Sequence, residues 1–141
     1  MKKEILVKGP VHRSLVADIM FATENDKGAG GIAIFMGKVR DDSDGKKRVV
    51  AIEYSAYPEM VEKEADRISQ TVMKAFSDVR EVTIIHSVGL VKAGEFSLFI
   101  MISAGHRDQA MRACRHALEM IKENLPVWKK EFFDDETSDW K

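Results

Sequence analysis

The chain has 141 residues, 45% hydrophobic and 32% charged, with 22 Lys and Arg against 23 Asp and Glu and a formal net charge of -1. These values suit one globular domain with its own core, and the near-zero balance argues against non-specific binding to nucleic acid or anionic membranes. A single cysteine, Cys114, excludes an internal disulfide. With a start, MKKEILVKG, too short in apolar residues for a signal peptide, and no stretch of membrane-spanning length, the expectation is a cytoplasmic protein.

In chain order, residues 4–8 (EILVK) predict a first strand that ends at Gly9-Pro10. Ser14 is placed to cap a short helix to about Phe21, with Leu15, Val16, Ile19 and Met20 on its apolar side. The NDKGAGG run at 25–31 has no apolar period and predicts a loop. GIAIFMGKV at 31–39 predicts a buried strand that emerges at Lys38 and Arg40, and DDSDGKK at 41–47 a polar turn or mobile loop. VVAIEYSAY at 49–57 predicts a strand with Val50, Ile52, Tyr54 and Ala56 on one face and Val49, Ala51, Glu53 and Ser55 on the other.

Pro58 suits the first turn of a helix. Val61, Ala65, Ile68, Val72 and Ala75 recur at spacings of four and three and carry that helix to about Phe76. EVTIIHSVGLV at 81–91 and FSLFIMISA at 96–104 predict paired strands turned by Lys92-Ala93-Gly94-Glu95. After Gly105 comes one long amphipathic helix, with Ala110, Ala113, Cys114, Ala117, Leu118 and Ile121 on one face, before Pro126 opens a cationic segment. The order, roughly β-α-β-β-α-β-β-α, predicts a single α+β domain with a mixed, mostly antiparallel sheet. Helices would flank one face and leave the other free for a partner.

Several cations bear on chemistry. His106 and Arg107 fall at a helix N-terminus, where backbone N–H groups favour an anion. Ser103 or Asp108 can already serve as cap there, and two cations oppose the dipole unless an anion or carboxylate is near. Arg40 closes the strand FMGKVR; a strand-end Arg is commonly a solvated charge, and the nearby Gly37 either admits a ligand or marks a bulge. Lys122 stands at the border of the helical stripe, where a lysine commonly snorkels along the core. The alternative is an amine at a pocket wall, with a pKa depressed by neighbouring cations. Lys129 and Lys130 follow Trp128, whose bulk argues for an anchored segment. Cys114 reads as core. His12, His86 and His116 show no paired ligand spacing, and no phosphate-loop, dinucleotide or serine-elbow motif occurs, so neither metal nor cofactor is expected. The remaining cations point to an anion-binding, catalytic pocket.

Five stretches in order resemble the catalytic, larger subunit of molybdopterin synthase: FMGKVR at 35–40, AYPEM at 56–60, IIHSVGLVKAGE at 84–95, SAGHRD at 103–108, and K-x-x-x-P-x-W-K-K-E from Lys122 to Glu131. The resemblance implies an α/β-hammerhead fold. It also implies a homodimer at the core of a heterotetramer, with a small ubiquitin-like sulfur-carrier subunit whose C-terminal Gly-Gly thiocarboxylate enters the pocket. The implied reaction transfers sulfur twice to cyclic pyranopterin monophosphate, making the dithiolene of molybdopterin. Arg40, His106 and Arg107 then match residues holding the anionic substrate, Lys122 and Lys129 the catalytic pair, and Lys38, Val39, Lys130 and Glu131 the lining. Two anionic reactants need converging cations; Arg suits phosphate, whereas Lys also exchanges a proton. Lys122 is expected as base or transient nucleophile and Lys129 as the partner of the developing oxyanion. The competing reading is a non-catalytic dimeric module for a phosphorylated ligand. Two departures stand out: Gly105 replaces an expected Ala, which should loosen the turn, and a short acidic tail, FFDDETSDWK, follows Glu131.

Overall fold

The computed structural model describes residues 5–45 and 47–141. Glu4 of the expected first strand and Lys46 of the 41–47 loop lie outside the described residues. The elements are β1 (Leu6–Lys8), α1 (Arg13–Ala22), β2 (Gly31–Lys38), β3 (Ser43–Asp44), β4 (Lys47–Ala56), α2 (Pro58–Ala75), β5 (Val79–Lys92), β6 (Phe96–Ala104), α3 (Arg107–Asn124), β7 (Val127–Phe133) and β8 (Ser138–Trp140). The class is α+β, as expected.

The sheet runs β2-β6-β5-β4-β7-β8, with β1 beside β5 and β3 beside β4. Every pairing is antiparallel except β1 with β5. The long strand β5 serves both halves. Val79–His86 pair with β6, whereas Gly89–Lys92 pair with β4. Gly89 has φ +87°, a left-handed backbone that a side chain disfavours, and it lies where β5 passes from one neighbour to the other.

Strand β6 alternates between two cores. Leu98, Ile100, Ile102 and Ala104 face α2 and α3, meeting Ala65, Ile68 and Val72 from one helix and Ala113, Ala117 and Ile121 from the other. Phe99 and Met101 point the opposite way and pack with Ile85, Val11 and the Leu15, Val16 and Ile19 side of α1. The expected free face is therefore corrected in part: α1 covers Phe99 and Met101, while Ile32 and Ile34 of β2 on the same face stay 42% and 37% exposed. Each fully buried aliphatic side chain here contributes about 1.5–3 kcal/mol relative to exposure. A third core of Val39, Val49, Tyr54, Val91 and Phe133 lies under β4 and β7.

Several local expectations change. The N-cap of α1 is His12, with no side-chain cap bond, rather than Ser14. Part of the 41–47 loop is the short strand β3, paired back on β4. The β4–β7 register shifts between Val49 and Ala51, and the two expected faces mix there: Val49 shares a core with Tyr54 and Ile52. The segment after Pro126 is a strand in the sheet, and ladder bonds anchor it; Trp128 itself is 45% exposed, edge-on to Tyr57. The acidic tail turns back as β8, burying Phe133 on the way.

Candidate active site

A cavity of about 860 Å³ opens where the two halves of the sheet meet the end of α3. Its walls come from the end of β2 and the following turn (Phe35 to Asp42), the start of β6 (Ser97, Leu98), His86 of β5, Ile52 and Tyr54 of β4, Lys122 of α3, and Val127, Lys129 and Glu131 of β7. Five cationic side chains line it, from Lys38, Arg40, Lys122, Lys129 and Lys141, against the carboxylates of Asp41, Asp42 and Glu131.

Each cation arrives for a local reason. Gly37 marks a bulge: the β2–β6 register shifts between Gly37 and Lys38. Lys38 then lies with its amine 5.8 Å from the Phe96 ring centre. Val39 is 2% exposed and exchanges backbone hydrogen bonds with Glu95 and Gly94, so Arg40 leaves from a fixed backbone. Its Nε stands 2.6 Å from Asp42 Oδ1, with the side chain 80% exposed. An exposed pair of this kind is weak, and a competing anion can take the guanidinium.

Lys122 closes the last turn of α3, where a cation complements the dipole. The chain turns at Leu125-Pro126 and enters β7, whose period of two sets Val127, Lys129 and Glu131 towards the cavity. Trp128, Lys130 and Phe132 take the other face. The Lys130 amine lies 5.6 Å from the Phe132 ring centre and 5.4 Å from that of Trp140. Lys130 is thus a correction to the expected lining.

Lys129 is partly buried. Burial lowers its pKa from the ordinary lysine value; the charges of Lys122 and Lys141 push the same way, and Glu131 opposes them. Lys141 is held there by its backbone, whose N–H donates to the Lys129 carbonyl at 2.9 Å. Its amine reaches Glu131 at 3.7 Å.

His106 and Arg107 do not join this group within one chain. They occupy the opposite end of α3, which places them about 22 Å from Lys122 at roughly 1.5 Å rise per residue. His106 is the N-cap residue, and its backbone N–H donates to Asp78 Oδ2 at 2.7 Å, with Nδ1 3.2 Å from the same oxygen. The carboxylate that makes cations tolerable at this helix start is therefore Asp78. Gly105 does not loosen the turn: a Cβ there would overlap the Asp78 carboxylate, so the missing side chain admits the cap.

His86, Tyr54 and Lys141 are among the cavity residues not expected as such from the sequence. A buried His in an otherwise apolar strand was the available signal for the first; Lys141 carried none. Cys114 is buried in the main core, as expected. Among the described residues no helix is long and apolar enough to cross a membrane.

Comparison with known proteins agrees with this architecture. The model of the MoaE protein family matches residues 11–124. A molybdopterin synthase catalytic subunit from Dictyostelium discoideum is 37% identical over 119 residues, covering 83% of this chain and 75% of the relative. The crystal structure of molybdopterin synthase from Staphylococcus aureus superposes with a TM-score of 0.87 at 29% identity, over 100% of this chain and 98% of that one. A complex of subunits 1 and 2 of the molybdopterin-converting factor from Helicobacter pylori shares the fold, with a TM-score of 0.80 at 17% identity over 96% of this chain and 87% of that one. The family match spans both the strand that ends in Lys38 and the helix that carries Lys122, and the chain belongs to the MoaE protein family of molybdopterin synthase catalytic subunits.

Proposed function

We propose that the cavity moves sulfur from the C-terminal thiocarboxylate of a small ubiquitin-like carrier protein to cyclic pyranopterin monophosphate, forming the dithiolene of molybdopterin. One observation carries this reading: in a member of this family, Lys122 and Lys129 arrive from different elements on one cation-lined cavity. The substrate phosphate would displace Asp42 from Arg40, and the carrier tail would bring its own anion to the lysines. At each of two successive transfers the carrier's sulfur bonds to a substrate carbon as the carbon–oxygen bond there breaks, the oxygen leaving as water or with the phosphate. Hydrolysis of the resulting thioester then leaves sulfur on the substrate and a carboxylate on the carrier.

The lowered pKa of Lys129 supports a reversal of the expected roles. Lys129 supplies the neutral amine that takes a proton, and Lys122 stands beside it to stabilise the oxyanion. His106 and Arg107 lie too far along α3 to serve the cavity of their own chain, so this reading gives them to the second copy in a dimer, whose α3 N-terminus completes the phosphate site. The complex from Helicobacter pylori joins two different subunits on this fold, which agrees with a second kind of subunit as the partner.

The test mixes the protein with thiocarboxylated carrier and cyclic pyranopterin monophosphate and assays the dithiolene product. Product should form, and Lys129→Ala should abolish it. No product from the intact protein, or full turnover by Lys129→Ala, sinks the reading.

A further inference from the structure

His86 sits at the base of the cavity, 7% exposed, in the stretch where β5 leaves β6 for β4. Its Nδ1 lies 2.8 Å from the Ser87 carbonyl oxygen. A carbonyl only accepts, so Nδ1 carries the proton and Nε2 keeps a lone pair. The ring meets Tyr54 edge-on at 5.0 Å between centres, and the Tyr54 hydroxyl is engaged with Ser97 Oγ at 3.1 Å. Tyr54 thereby orients the ring without occupying Nε2, and no donor among the described residues meets that atom.

Lys129 is a donor that the sheet brings to the side of this ring. It pairs with Tyr54 across the β4–β7 ladder, so both side chains leave the sheet on one face, beside the imidazole. Its charge bears on His86 more strongly than that of Lys122. We propose that His86 is a positioning residue for Lys129: its uncharged imidazole accepts, at Nε2, a hydrogen bond from the Lys129 amine and aims that amine into the cavity. The inference deepens the proposed function, on which the importance of Lys129 rests.

The ionisable groups around the pair are Lys122 of α3, Lys141 after β8, Glu131 of β7 and Tyr54 of β4. A cationic ring would add one more positive charge to three lysines. Burial instead holds the His86 pKa below the ordinary histidine value, which leaves the ring an acceptor where lysine chemistry operates.

The experiment uses the full chain without carrier or pterin. Nitrogen-15 NMR of labelled histidine should show His86 as the neutral Nδ1–H tautomer in the range where an ordinary histidine is already taking up its proton. Lysine NMR, with the Lys129 signal assigned by its loss in Lys129→Arg, should show the amine titrating lower by about half to one unit in His86→Leu, because the acceptor that favours the ammonium is gone. His86→Gln keeps an acceptor and should titrate near the unaltered protein. An Nε2–H tautomer, an imidazolium near neutral pH, or identical Lys129 titration in all three proteins overturns the proposal. The tautomer is read on unaltered protein, so it decides even if His86→Leu fails to fold. A shifted titration in a protein that makes no dithiolene would sink the sulfur-transfer reading and leave this one standing.

Discussion

Lys122 and Lys129 confront each other across one cavity, one at the end of a helix and the other on the strand that follows it. Their separation in sequence contains the turn at Leu125-Pro126, where the Val127 N–H bonds to the Leu125 carbonyl at 2.8 Å. That turn folds β7 back along β4, and the charge of Lys122 then lowers the pKa of Lys129 beyond what burial does.

A pH dependence of stability follows. With its folded pKa below the unfolded 10.5, Lys129 is protonated in both states at low pH, and the cost of burying its charge is fully present. Between the two values the unfolded chain still holds a proton the folded chain has shed, so stability rises with pH; above both, the cost has gone. Lys129→Met should therefore raise the urea midpoint at about pH 7, and the gain should fade towards the ordinary lysine range. Urea titrations across that span check it.

The strand period separates two adjacent lysines. Lys129→Ala should reduce dithiolene formation by at least about 100-fold, the scale of a lost general base or acid. Lys130→Ala, on the opposite face near Phe132 and Trp140, should stay within about twofold, as surface changes away from a site do. Steady-state rates of the two variants, at equal folded concentration, test the assignment of faces.

The capping carboxylate and the glycine beside it should be coupled. Gly105→Ala forces Asp78 away from the His106 N–H and should cost about 1–2 kcal/mol, as should Asp78→Ala. Because both changes remove the same bond, the double variant should lose clearly less than the sum. Denaturant unfolding of the four proteins closes the cycle.

Two damaged chains should repair each other. If the second copy supplies Arg107, then Arg107→Ala and Lys129→Ala, each inactive alone, give mixed dimers with one whole site after exchange. Random pairing predicts roughly a quarter of the unaltered activity. Activity that stays at the level of the separate variants would show that Arg107 serves its own chain or no site at all.

Much of the fold was legible because its signals are local. The stripe Val61, Ala65, Ile68, Val72 marks α2, and the run from Phe96 to Ala104 marks the most buried strand, through periods set by backbone geometry. The cations Lys38, Arg40, Lys122 and Lys129 were legible as residue types in motifs. Less visible was β7, since a short segment after Pro126 carries no apolar alternation; its lysines and Trp128 face away from, or only partly into, packed surfaces.

The amino-acid order alone determined the helices, the central strands, the family resemblance and the set of candidate amines, all properties of neighbours along the chain. Only the tertiary structure decided which of those amines share a space. It put Lys130 on the wrong side of a strand, His106 and Arg107 a helix-length away, and His86 and Lys141 beside Lys129, because β5 divides its pairing between β6 and β4 and opens the cavity at that division. Such a junction is made by long-range strand pairing and burial, which no local period records.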